Sequence, residues 1–266
     1  MNVTVLGSGS RGNAVLLTTP AGTVLVDAGF PPAALARRAA ASGRSLDGLS
    51  ALILTHEHGD HAQGAAAVAK AAMCPVYASA GTLGALALDL AGLDVRRLDG
   101  VNGTDVGPLR VDAIRTGHDA AEPVALRVTD PASGARLGIA YDIGRITPGI
   151  TRLLRSVHCL LLEANHDERL LRTGPYPASV RSRIAGPAGH LSNWQAAQVA
   201  AELCHEELQT VVLTHLSERC NRPEIARDAV LAALTARGFA GRLLVATQDR
   251  PLPPLAVVRG QLALDL

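Results

Sequence analysis

The chain has 266 residues with 25 basic and 24 acidic side chains, a net charge of +1 and a mean hydropathy of +0.20. That length holds one large domain or two small ones, and an apolar content of 48% excludes intrinsic disorder. Near-neutrality excludes a general coat for polyanions, so any contact with nucleic acid must be local and built from a few arginines, Lys70 being the only lysine.

The first residues, Met1-Asn2-Val3-Thr4-Val5-Leu6-Gly7, carry neither a basic leader nor a long apolar stretch and read directly as strand. Short β-branched runs bounded by Gly and Pro predict hairpin strands over 3–6, 14–18 and 23–27. Pro31-Pro32 opens an Ala-rich helix to about residue 41, and the apolar run 49–55 predicts a strand buried on both faces that ends at a group of histidines. Helices are predicted over 64–73 and 81–91, separated by a short strand near Val76. Strands over 109–115, 124–129 and 136–141 read as an antiparallel meander, with Pro131-Ala132-Ser133-Gly134 as one turn. Helices over 147–157, 193–206 and 222–237 then alternate with strands over 159–163, 211–214 and 242–246.

Two β-rich halves, each followed by helices, predict an α/β fold of two sheets packed face to face with helices outside. No linker or low-complexity stretch divides the chain, so a single domain over 1–266 is expected. The longest apolar region, 65–80, is broken by Lys70 and Pro75 and falls short of the roughly 20 residues that span a bilayer, so no membrane contact is expected. Cys74, Cys159, Cys204 and Cys220 form no Cys-x-x-Cys pair, which predicts reduced thiols and a cytoplasmic protein.

The strongest chemical signal is Thr55-His56-Glu57-His58-Gly59-Asp60-His61, with His56, His58, Asp60 and His61 directly after a buried strand. Imidazole and carboxylate without thiolate suit zinc, manganese or iron, and a tight turn directs alternate side chains to two neighbouring ions. One loop cannot complete two coordination shells. His118, Asp142 and His215 each follow a predicted strand as His61 follows its own, and their shared position marks them as the remaining ligands.

These segments, together with Gly7-Ser8-Gly9-Ser10-Arg11-Gly12-Asn13, Leu25-Val26-Asp27-Ala28-Gly29, Glu163-Ala164-Asn165-His166-Asp167 and Gly189-His190-Leu191-Ser192-Asn193, carry a family resemblance. The sequence resembles the metallo-β-lactamase-fold hydrolases and, within them, the YycJ/WalJ-like group related to the ribonuclease Z branch. The resemblance implies a four-layer αββα sandwich with the metals at one edge. Carried over residue by residue, it implies that His56, His58 and His118 hold one divalent ion, that Asp60, His61 and His215 hold a second, and that Asp142 bridges them. Zinc or manganese is the implied metal. The chain departs locally from the family at Ala62-Gln63 and at Arg219-Cys220.

His190 stands just before a helix whose start is marked by Ser192 and Gln195 at capping-box spacing. A helix N-terminus offers free N–H groups to an anion, so His190 and Ser192 are expected beside a phosphate seat. In the ribonuclease Z branch the histidine of the similar segment assists the scissile phosphate; the other reading is a histidine that only bonds its own loop. Glu163 or His166 is a candidate to orient His190, a buried structural hydrogen bond is an equal reading for each, and the sequence does not choose between them. Asp27 is expected to support the site without being a ligand. Arg172, Arg181 and Arg183 flank the His190 segment, either as phosphate contacts or as solvated surface. The glycine-rich segment leads into a strand and not a helix, so it is a hairpin and no dinucleotide cradle.

The expected activity is a metal-dependent phosphodiesterase, most simply a nuclease, in which two ions generate a hydroxide between them, with Asp60, Glu163 and His190 in the catalytic group. By resemblance the substrate is DNA cut from a 5′ end, ahead of RNA. Two rivals keep the same residues: a hydrolase of a small ester, thioester, lactam or cyclic phosphodiester, and a metal-binding scaffold without turnover. The sequence is silent on oligomeric state.

Overall fold

Short apolar strands pair in the order in which they leave the chain, and the computed structural model describes residues 1–100 and 102–260. β1 (Asn2–Gly7), β2 (Ala14–Thr19) and β3 (Gly22–Val26) are successive antiparallel neighbours. α1 (Pro32–Ala41), with Pro in its first turn, carries the chain over to β4 (Leu49–Ile53), which lies parallel to β3. α2 (Gly59–Ala62) and α3 (Ala65–Ala72) lead to β5 (Val76–Ala78), and α4 (Ala80–Ala85) precedes β6 (Val95–Arg97), both added in parallel.

The second half repeats the plan. β7 (Thr104–Val106), β8 (Leu109–Arg115), β9 (Val124–Thr129) and β10 (Arg136–Ala140) form an antiparallel meander. α5 (Pro148–Leu154) then reaches β11 (Cys159–Glu163), and α6 (Glu168–Thr173), α7 (Ala178–Ile184) and α8 (Asn193–Leu203) precede β12 (Thr210–Thr214). α9 (Pro223–Ala236) joins it to β13 (Arg242–Val245), and β10 to β13 run parallel. β14 (Leu255–Ala256) returns to pair with β1, giving two seven-stranded mixed sheets in the orders β14-β1-β2-β3-β4-β5-β6 and β13-β12-β11-β10-β9-β8-β7.

Three apolar clusters define four layers. Val5, Val26 and Ile53 of the first sheet meet Val111, Leu126 and Leu161 of the second. Leu154, Ala200 and Val230 seat α5, α8 and α9 on the outer face of the second sheet, and Leu35 and Val68 seat α1 and α3 on the first. β11 and β12 are buried at every position because helices cover one face and the other sheet covers the other. The predicted αββα sandwich is the observed architecture.

Several local expectations need correction. The helix over 81–91 stops at Ala85, where Leu86 leaves helical geometry and the chain enters turns. β6, β7 and β14 have only two or three residues each, and all of β6 is exposed, so pairing with a neighbour makes them strands and no hydrophobic period announces them. α6 and α7 lie in the arginine-rich stretch before His190, where Asp167 caps α6, its side chain accepting from Leu170 N. The helix over 193–206 ends at Leu203.

Candidate metal centre

The parallel strands end at one edge of the sandwich, and the predicted ligands follow their carboxyl ends: His56, His58, Asp60 and His61 after β4, Asp142 after β10 and His215 after β12. His118 joins them from the turn between β8 and β9. Donor atoms of His56, His58 and His118 lie within 4.8 Å of one another, as do those of Asp60, His61 and His215, and His56, His61 and Asp142 form a third such group between them.

Hydrogen bonds on the far side of each ring decide which nitrogen faces the cluster. Thr55 Oγ1 donates to Asp27, so it accepts from His56 Nδ1 at 3.2 Å and leaves Nε2 of His56 inward. His61 Nδ1 donates to Asp27 Oδ2 at 2.8 Å, His118 Nδ1 to the Gly189 carbonyl at 3.1 Å and His215 Nδ1 to Glu163 Oε1 at 3.2 Å, so these three also present Nε2. His58 is reversed: its Nε2 donates to the Asp119 carbonyl at 3.2 Å, so Nδ1 is its inward atom.

The acidic groups are close and cationic partners hold them ionised. Asp142 Oδ2 lies 2.8 Å from His61 Nε2, and Asp60 Oδ2 lies 3.3 Å from His215 Nε2. Burial raises the carboxyl pKa of both, yet His215 and His61 outweigh it and hold Asp60 below the usual carboxylate range and Asp142 far below it. Conversely, burial works against charge on His215, but Asp142, Asp60 and Glu163 together push its pKa up to about 10. His61 is raised in the same way by Asp142 and Asp27, whereas burial and the neighbouring His61 keep His56 well below the ordinary imidazole value.

Two observations fit this donor set to divalent cations. Nε2 of His56 is buried and, among the described residues, has no hydrogen-bond partner, a cost that a cation bound there removes. The donors are imidazole and carboxylate throughout and, within each group, converge within 4.8 Å of one another, a set that suits zinc or manganese.

The backbone is strained at two of the donors and at Asp27, which holds His61. Asp27, Asp142 and His215 hold φ of +60°, +54° and +53°, the left-handed region that costs a non-glycine residue about 1–2 kcal/mol each. Surrounding bonds hold them there: Asp27 N donates to the Ile53 carbonyl and His215 N to Ser8 Oγ. Gly29 lets the Asp60 turn pack against it, because a Cβ there would overlap the Asp60 carbonyl.

His190 lies at the rim, its ring 5.0 Å from that of His118 and 5.2 Å from that of His215. Glu163 orients it: the fully buried carboxylate accepts from His190 Nδ1 at 2.7 Å and His215 Nδ1 at 3.2 Å with one oxygen, and from Ile143 N and Leu191 N with the other. Burial opposes charge on His190, but Glu163 and Asp142 raise its pKa; burial likewise opposes ionisation of Glu163, but His190 and His215 bring it down to about 2. His166 sits elsewhere, its carbonyl accepting from Asn193 N.

The other expected contacts are placed differently from one another. Ser192 caps α8 in the reciprocal bond with Gln195 that the spacing predicts, but it is buried and its hydroxyl donates to Glu168, so it holds the helix start and leaves no hydroxyl free for a substrate. Arg183 reaches the site edge by pairing with Asp119 at 2.8 Å, beside His118. Arg181 donates to the Tyr176 carbonyl and lines a separate cavity with Arg172 and His166.

Sequence reasoning missed Asn13, whose amide nitrogen lies 3.0 Å from His61 Nε2. It also missed Tyr141, whose hydroxyl donates to Asp27 at 2.6 Å, and Asn165, which donates to the His215 carbonyl. Their position at strand ends beside ligands is the signal that marks them.

The chain belongs to the beta-lactamase superfamily, whose domain matches residues 22–216, and is a metallo-hydrolase of that superfamily. It is 30% identical over 242 residues to exodeoxyribonuclease YycJ of Bacillus anthracis, covering 90% of this chain and 91% of that one. It is 29% identical over 236 residues to exodeoxyribonuclease WalJ of Streptococcus pneumoniae, covering 86% and 87%. The metallo-beta-lactamase fold protein YhfI of Bacillus subtilis superposes with a TM-score of 0.67 at 18% identity over 94% of this chain and 98% of that one, a likeness of fold.

Proposed function

We propose that this chain is a dinuclear metal-dependent phosphodiesterase, an exonuclease that degrades DNA from a 5′ end, acting as one domain in the cytoplasm. The observation that carries the reading is the pairing of two donor groups with a histidine whose ring is held at their rim by a buried carboxylate. Similarity to two exodeoxyribonucleases along nearly the whole chain supports DNA as the substrate. Four free cysteines with no disulfide support the compartment.

His56, His58 and His118 would hold one ion, Asp60, His61 and His215 the other, with Asp142 shared between them. Zinc or manganese bound there supplies Lewis acidity and an activated water at neutral pH. Asp27, Thr55, Gly189 and Glu163 keep the imidazole lone pairs turned inward by fixing a proton on each far nitrogen. His190 has Nδ1 bonded to Glu163, so Nε2 is the ring atom that faces a substrate, and the carboxylate favours its charged form. That proton is available to the leaving oxygen of a phosphodiester, and the cation offsets negative charge on the phosphate.

The test is cleavage of end-labelled single- and double-stranded DNA and RNA, and of bis-p-nitrophenyl phosphate, by protein of measured metal content. Progressive release of nucleotides from the 5′ end of DNA, abolished by a chelator and restored by Mn²⁺ or Zn²⁺, is the expected result. Hydrolysis confined to small esters or thioesters would refute it.

A further inference from the structure

Beyond the metal edge, a groove of about 650 Å³ runs through the outer helical layer between α5 and α8. Arg145, Arg152 and Arg155 line one wall, and Gln195, Gln198 and Glu202 line the other. The three arginines are exposed and, among the described residues, have no hydrogen-bond or ion-pair partner, whereas Arg11, Arg96 and Arg127 are paired with carboxylates. Three unpaired cations facing a single carboxylate form a positive trough on a chain whose net charge is only +1. Such a trough attracts a polyanion locally without a basic coat over the rest of the surface.

The trough adjoins segments that carry the metal centre. Arg145 follows Asp142 by three residues, and its side chain packs beside Gly117, the neighbour of His118. Leu191, which follows His190, also lines the groove. Arg152 and Arg155 are three residues apart and share a face of α5 and its last turn, so the cations step outward along a helix roughly 10 Å long. Trp194, the chain's only tryptophan, is 59% exposed on α8, one turn before Gln198 and on the same face. Its exposed indole, four residues after His190 in sequence and beside Gln195 of the groove wall, offers a flat face on which a base can stack.

We infer that this groove carries a single strand of nucleic acid away from the metal centre, with its phosphates on Arg145, Arg152 and Arg155 and one base stacked on Trp194. A cationic track beside an aromatic platform is how single strands are held without sequence preference, and stacking on Trp194 requires a base freed from its pair. The inference rests on the nuclease reading and adds the substrate form and its path.

The test compares wild type, the triple variant Arg145→Gln/Arg152→Gln/Arg155→Gln and Trp194→Ala on oligothymidylates of 3 and 12 nucleotides and on bis-p-nitrophenyl phosphate. All four positions are exposed, and melting temperatures within about 2 °C of wild type confirm that the variants fold. The triple variant should raise KM for the 12-mer at least tenfold and reduce the slope of log KM against log salt by about 2, at about 0.7 per phosphate contact. It should leave the 3-mer and the small diester within twofold. Trp194→Ala should raise KM for the 12-mer about fivefold or more. Because Trp194 is the sole tryptophan, a phosphorothioate 12-mer should quench wild-type indole fluorescence. Cleavage of the 12-mer by the triple variant with wild-type KM and salt slope, or an unquenched indole at saturating 12-mer, overturns the groove and leaves the nuclease reading standing. Wild type that hydrolyses the small diester and no polynucleotide overturns both.

Discussion

Glu163→Gln changes one oxygen to nitrogen in a fully buried side chain, yet it should disable a metal ligand 52 residues away in sequence. Ile143 N and Leu191 N both donate to Oε2 at 3.0 and 3.1 Å, so the amide oxygen must stay on that side and the NH₂ must turn toward His190 and His215. Each Nδ1 then faces a donor and gives up its proton, and each ring moves that proton to Nε2. His215 would present N–H where a cation needs a lone pair. Losing the partner that fixes a ligand's tautomer typically weakens metal affinity 10–100-fold, about 1.4–2.7 kcal/mol. Removing the charge also forfeits two charge-assisted hydrogen bonds, about 1.5–3 kcal/mol each, in the metal-free protein. Competition against a chromophoric chelator, with thermal melts of metal-free protein, reads both effects. One of the two ions should weaken by at least tenfold while the other changes little; equal affinity at both sites with an unchanged melting temperature would refute the tautomer reasoning.

Gly29→Ala should lose metal and several degrees of melting temperature, because its Cβ would overlap the Asp60 carbonyl and displace the ligand turn; Gly59→Ala, with nothing within 4 Å of the added carbon, should keep both. Metal loading at pH 8 should release about two protons in a weakly buffered solution, since His215, with its pKa pushed up to about 10, and His61, also raised, hold protons that a cation displaces; release of none would contradict the ligand set. The sign of the same shift sets stability: the raised His215 pKa stabilises metal-free protein fully below about 6.5 and progressively less as pH rises through about 10. Melting temperature should therefore fall between pH 8 and 10.5 without metal and hold steady with it.

Much of this centre was legible in the sequence because its donors sit at strand ends. Val211 to Thr214 announces a buried strand, so His215 after it falls at an edge, and the same logic places Asp142 and His61. The capping pair Ser192 and Gln195 was legible for a different reason, since its geometry closes within four residues. What stayed hidden depends on contacts between distant segments. Asn13 looks like one more polar residue in a glycine-rich turn until the turn is packed against His61. The choice of Glu163 over His166 follows from how β11 and the segment before α8 meet, which no local pattern encodes. Edge strands such as β6, with every side chain exposed, carry no periodic signature because the neighbouring strand supplies their order. The commitment of the Ser192 hydroxyl to Glu168 likewise appears only once α6 is in place, an element that the arginine-rich stretch concealed.

The most direct test of the account is DNA cleavage measured alongside metal content for wild type, Asp60→Ala and His190→Ala. Both substitutions should abolish cleavage, with about two metals per chain retained in His190→Ala and at least one lost in Asp60→Ala. Full cleavage by His190→Ala, or an Asp60→Ala protein that keeps both its metals and its activity, would contradict the assignment of these residues to a dinuclear phosphodiesterase.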